Sequence, residues 1–137
     1  MSESMQALQA FIDAWADTEE KTKAAFVRLK NYLGAKAGVT LDFIPRDGVT
    51  YSLRAVHENQ KTRQLFVMVD VIEDQPRWLS VCFYGEMIED QEEKGDFVPG
   101  GLLGEDAVCF DLEKRDEKLV QYIEARIDEA CRSAAME

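Results

Sequence analysis

Acid–base chemistry in this chain has one imidazole to draw on, His57, at the end of a strand-like segment and just before the polar turn Glu58-Asn59-Gln60-Lys61. Any Ser-His-Asp or Cys-His mechanism must run through it, and a histidine-based metal site would have a single imidazole ligand. No Gly-x-Ser-x-Gly elbow or other nucleophile signature accompanies it. The residue therefore reads as a turn-edge histidine bonded to its neighbours. The alternative is a small enzyme in which His57 works with a nearby carboxylate. Cys82, Cys109 and Cys131 are odd in number and widely spaced, with no CxxC pair, so neither a disulfide framework nor a zinc knuckle is indicated. They are expected as separate, reduced and mostly buried thiols.

Phosphate chemistry finds no support either. Pro99-Gly100-Gly101-Leu102-Leu103-Gly104 lacks the GxxxxGK[ST] spacing, leads into a strand instead of a helix, and is followed by Glu105-Asp106. It reads as a wide loop in which Pro99, Gly100, Gly101 and Gly104 are candidate binding-loop residues. The acidic run Glu86 to Asp96 lacks the EF-hand pattern. No metal ligand set and no cofactor motif emerges. What remains is a polar and aromatic group, Tyr51, Arg54, Arg77 and Trp78, which becomes a ligand-binding candidate if the strands pair as consecutive neighbours and the loop closes over one sheet face.

The elements that must position these residues follow from periodicity. Leu8, Phe11, Ile12, Trp15, Ala25, Phe26, Leu29, Tyr32 and Leu33 recur at helical spacing over residues 3–34. Asp17 and Glu20 have capping-box spacing and leave open whether this is one helix or two. Within 39–84 the period changes to two, predicting four strands with short connections and hence an antiparallel meander. Residues 49–57 place Val49, Tyr51, Leu53, Ala55 and His57 on one face and Thr50, Ser52, Arg54 and Val56 on the other. The run 63–72 is apolar on both faces and suits a central strand covered on both sides. An irregular loop over 85–104, a fifth strand at 106–112 and a helix over 115–135 complete a single domain, 1–137. Helices segregated from strands make the class α+β, with one antiparallel sheet of about five strands and the helices mainly on one face.

Charge narrows the partners. The 137 residues carry 16 basic and 27 acidic side chains, net −11, which argues against nucleic acid and anionic membranes. Residues 1–84 hold 10 basic and 11 acidic side chains, whereas 85–137 hold 6 and 16. The acidity belongs to the loop and the last helix, and the meander keeps its arginines for an anionic or aromatic ligand. The N-terminus lacks a basic region before an apolar run, and no stretch has the length to span a bilayer, so a cytoplasmic location is expected.

The layout from Gly48-Val-Thr-Tyr51 through the strands to the helix Leu119-Val-Gln-Tyr-Ile-Glu-Ala-Arg-Ile-Asp-Glu-Ala130 resembles the small YdhG-like α+β domains of uncharacterised bacterial proteins. The resemblance implies a helix, a curved antiparallel sheet and a closing helix, and no activity. The size, acidity and element order are also similar to those of type III secretion chaperones, which implies a dimer holding an effector segment. With no catalytic signature and one long loop, the expected function is a non-enzymatic binding or adaptor module. It would engage a protein or small ligand through the sheet face and the 85–104 loop, possible homodimer formation included.

Overall fold

The computed structural model describes residues 2–137. Two helices come first, α1 (Glu3–Ala14) and α2 (Thr22–Gly34), followed by strands β1 (Val39–Arg46), β2 (Thr50–His57), β3 (Val67–Ile72) and β4 (Trp78–Tyr84). A short 3-10 turn, Gly85–Met87, leads through an acidic segment to β5 (Asp96–Leu102) and β6 (Glu105–Leu112), and α3 (Glu117–Ala135) closes the chain. The fold is α+β, with one open antiparallel sheet in the order β1-β2-β3-β4-β6-β5.

The helical stripe over 3–34 is interrupted, so the two-helix alternative holds. Ser2 caps α1, its hydroxyl accepting the Met5 amide. After Ala14 the chain turns, Asp17 accepts the Thr18 amide and pairs with Lys21, and Lys21 enters α2 with φ of 61°. Thr22, buried at the start of α2, donates to the Arg77 carbonyl and ties the helix to the mouth of β4. Asp116 caps α3 by accepting the Leu119 amide. Arg28 of α2 reaches both Glu117 and Glu124 of α3, and Tyr32 and Lys36 both donate to Asp128.

All three helices pack on one face of the sheet. Leu8, Ile12, Phe26, Leu29 and Leu33 meet Leu53, Val69, Val81, Phe110, Val120, Ile123 and Ile127 in a single buried core. The alternation expected over 49–57 holds from Tyr51 onward, with Tyr51, Leu53 and Ala55 in this core and His57 buried on the same side, whereas Val49 lies in the turn and is exposed. The run containing β3 is not covered on both sides. Val67, Val69 and Val71 are buried, but Met68, Asp70 and Ile72 are half-exposed on the opposite face, which no helix covers.

The 85–104 stretch is not one irregular loop, and the sheet has six strands instead of five. Asp96–Leu102 pairs with β6 as a hairpin, closed by Leu103 and Gly104, both at positive φ, the two-residue turn whose twist matches the strands. A register shift between Val98 and Leu102 absorbs Pro99, Gly100 and Gly101, and Asp106 accepts the Gly100 amide. Pro and Gly are what made this segment read as a loop, yet both are compatible with an edge strand carrying a bulge. The acidic run before it is docked on α3: Asp90 accepts the Lys94 and Gly95 amides and the Tyr122 hydroxyl, and Glu129 accepts the Glu89 amide.

The expectation of three separate thiols fails for two of them. Cys82 and Cys109 stand directly opposite on β4 and β6, with Cα atoms 4.1 Å apart, and are joined as a disulfide. Cys131 is free. A separation of 27 residues carries no hint of strand register, which only the fold supplies.

Candidate binding face

The uncovered side of the sheet is built by register. One row across the strands reads Ile44, Ser52, Asp70, Ser80, Asp111. The row on one side of it is Arg46, Thr50, Ile72, Trp78, and on the other Asp42, Arg54, Met68, Cys82, Cys109, Asp96. Period-two alternation puts all of these on the side away from the helices.

Two arginines mark this face. Arg28, Arg63, Arg77, Arg115 and Arg126 each pair with a carboxylate. Arg46 instead donates to the Thr50 hydroxyl, and Arg54 to the Ser52 hydroxyl. Asp42 lies opposite Arg54 in register, yet it accepts the Ser4 hydroxyl of α1. Asp70 lies in the row between the two arginines, with Oδ1 buried and without a hydrogen-bond partner. Burial pushes its carboxyl above the usual range, against the opposing pull of the Ser52 hydroxyl and of the positive charges of Arg54 and Arg46. Asp111, at the far end of the same row, is raised by burial and by its acidic neighbours Asp96 and Glu113. The face is therefore basic at its β1–β2 end and acidic at its β6–β5 end.

The structure separates the four residues grouped from sequence. Arg54 and Trp78 are on the uncovered face, but Tyr51 and Arg77 belong to the helix side. There the Arg77 guanidinium lies 4.9 Å from the Phe11 ring centroid, 5.1 Å from Tyr51 and 5.4 Å from Trp15. Glu73 accepts from Arg77 and from the Tyr51 hydroxyl, and the Arg77 bond holds its carboxyl below the ordinary value. These groups satisfy one another and form an internal cluster between α1 and the β3–β4 turn. Arg63 covers the Tyr84 ring and pairs with Glu86 and Glu105. Pro99, Gly100, Gly101 and Gly104 lie at the tip of the β5–β6 hairpin and not over the sheet face.

His57 is 8% exposed and is neither in a cavity beside an acid nor at an open turn. Its Nδ1 accepts the Asn59 amide, its own amide donates to Gln60, and its ring packs on Gly38, where an added Cβ would fall 2.9 Å from Nε2. This is the locally bonded histidine that the turn predicted. Five surface depressions, among them one of about 580 Å³ lined by Asp17 and residues of α2, do not take in His57, Arg54 or Asp70. Trp78 contributes to one, with Glu20, Asp74, Gln75, Pro76, Glu113 and Lys114. Among the described residues, no group of three or more His, Cys, Asp or Glu is placed to hold a metal ion, and no helix is long and apolar enough to cross a membrane.

Arg46 and Asp70 were not among the candidate binding residues. Pro45-Arg46-Asp47-Gly48 has turn composition, but β1 runs through Arg46 and the reversal is confined to Asp47–Val49. Asp70 lies in the 63–72 run, which reads as apolar on both faces over most of its length. Alternation carried back from Arg54 through Ser52 and Thr50 places Arg46 on the same face. No family model, curated protein or solved structure matches this chain.

Proposed function

We propose that the chain is a non-enzymatic binding module whose contact surface is the uncovered sheet face, and that its partner is a protein segment carrying acidic side chains. The observation that carries this reading is the pair of arginines, Arg46 and Arg54, held on that face by hydroxyls and not by carboxylates. A guanidinium gains most from a carboxylate that reaches it bidentately, and a neutral hydroxyl leaves most of its donors free. Ile44, Met68, Ile72 and Trp78 supply apolar contact area between and beside the charges. An open sheet without a deep cavity suits a macromolecular segment better than a small molecule, which needs enclosure to bury most of its surface. The acidic β6–β5 end repels such a segment and so directs it to the β1–β3 half of the face.

Calorimetric titration with a glutamate-rich peptide tests this. Wild-type chain should bind it, and the double variant Arg46→Ser, Arg54→Ser should bind at least tenfold more weakly while keeping the wild-type melting temperature to within a few degrees. Equal affinity of the two chains would overturn the assignment. So would sedimentation showing that the face is occupied by a second copy of the chain.

A further inference from the structure

We propose that Cys82 and Cys109 form a reversible thiol–disulfide couple that opens and closes within the folded protein. Three features of the fold support this. First, the pair is set by the ladder: Leu79 to Val81 pair with Leu112 to Phe110 on one side of it, and Phe83 and Tyr84 pair with Val108 and Ala107 on the other. These backbone bonds hold the two Cα positions opposite each other whether or not the sulfurs are joined. Breaking the bond therefore leaves the register intact, and the freed thiols stay within reach of each other for closure.

Second, the sulfurs are on the uncovered face. Cys82 and Cys109 are 5% and 8% exposed, and their neighbours on that face by register and alternation are the strand side chains Met68, Ser80, Asp96 and Asp111. Side-chain rearrangement is fast, so a small thiol can gain in-line access without local unfolding. The free thiol, Cys131, lies on α3, an element packed on the other face, and is not placed to intercept the exchange.

Third, the bond closes the base of one excursion of the chain. Residues 83–108, between the two cysteines, contain the 3-10 turn, the acidic segment docked on α3, and β5. The couple thus acts where the last two strands join the meander.

The chemistry is two-step exchange. In reduction, the thiolate of a small dithiol attacks one cysteine sulfur, breaking the Cys82–Cys109 bond, and the other cysteine leaves as a thiolate that takes a proton from water. The second thiolate of the reagent then attacks the mixed disulfide, releasing the first cysteine and forming the oxidised cyclic reagent. Two electrons and two protons pass to the protein. Oxidation by a small-molecule disulfide such as oxidised glutathione runs in the reverse sense, forming the protein bond and releasing two reduced thiols.

The test equilibrates the full chain, under native conditions, in buffers of graded reduced and oxidised glutathione, then blocks free thiols with an alkylating agent and maps the modified peptides. The expected result is one two-electron transition in which Cys82 and Cys109 change together from alkylated to bonded, while the amide spectrum stays dispersed at both ends. Ten-millimolar dithiothreitol should likewise reduce the bond without urea. A Cys131→Ala variant gives the same count by intact mass, and the peptide map of the unsubstituted chain decides the matter if that variant folds poorly. The proposal is overturned if the pair stays alkylated at saturating oxidised glutathione, if one cysteine stops at a glutathione adduct, or if reduction requires denaturant.

Discussion

Asp70 is where the chain departs most from local convenience. Its Oδ1 is buried without a partner, and burial raises its carboxyl above the usual range. A raised folded value means that the protonated form is favoured by folding. The associated stability is complete below the unfolded value of 3.8 and is lost as pH rises through the folded one, so the ionised side chain is a burden at neutral pH. Asp70→Asn should raise stability by about 1 kcal/mol at pH 7, the scale of a poorly satisfied buried polar group. The gain should shrink as the pH is lowered through the folded value. Thermal melts of both chains between pH 4 and 7 check this, and a variant less stable at pH 7 would show that Asp70 is needed for folding. A group retained against stability on the face that also carries Arg46 and Arg54 is consistent with use of that face. The residue was hard to find in sequence because Leu65, Phe66, Val67, Val69, Val71 and Ile72 surround it. The half-exposed positions of β3 emerge only when its neighbours are known.

Elements that end at the two edges of the sheet are protected differently. At β1, the Ser4 hydroxyl of α1 accepts the Phe43 amide at 2.6 Å and donates to Asp42, so the helix covers the edge. Ser4→Ala should cost about 1 kcal/mol, the usual net worth of such bonds, and should speed hydrogen exchange at the Phe43 amide; unchanged exchange would show that the edge is closed by other contacts. At β5, the edge is interrupted by Pro99 and a bulge, a common defence against pairing with another chain. Its closing turn carries Leu103 at φ of 51°, a conformation that a branched aliphatic side chain rarely adopts. Leu103→Asn, which restores the Asn-Gly preference of this turn type, should raise stability by about 0.5–1 kcal/mol in denaturant unfolding, and a loss would mean that the half-exposed leucine packs against something. The helices and the first four strands were legible because apolar residues recur at helical spacing over 3–34 and at strand spacing through most of 39–84. The second helix start was ambiguous because Lys21, not Asp17 or Glu20, stands at its N-cap. β5 was hidden because Pro99, Gly100 and Gly101 signal a turn equally well.

Across the whole molecule, the acidic excess and the disulfide loop overlap in the segment between β4 and β6. Residues 85–137 hold 16 of the 27 acidic side chains. Many are engaged by the fold: Glu117, Glu124 and Asp128 join α3 to α2, and Asp90 and Glu129 anchor the segment between β4 and β5. Burial opposes ionisation of Asp128 and Asp90, but the hydrogen bonds from Lys36, Tyr32, Tyr122 and the Gly95 amide outweigh it and hold both below the usual value. Their stabilisation is present above the unfolded value of 3.8 and lost as pH falls through the lowered ones, the opposite sign to Asp70. The Cys82–Cys109 bond closes residues 83–108, which hold 8 of those 16 acidic side chains. By restricting the unfolded chain over a loop of that length it should add about 3–4 kcal/mol, so urea unfolding of the reduced chain should have a lower midpoint than the oxidised one. Coincident midpoints would show that the unfolded chain gains nothing from release.

The proposed contact places an acidic segment at the Arg46–Arg54 end of the uncovered face. Amide chemical-shift mapping of the folded chain titrated with a glutamate-rich peptide tests it most directly. Saturable shifts are expected in β1, β2 and β3 around Arg46, Ser52, Arg54 and Asp70, with β5 and the outer surfaces of the helices unmoved. Shifts confined to the helical layer, or none at peptide concentrations that saturate the calorimetric signal, would contradict it.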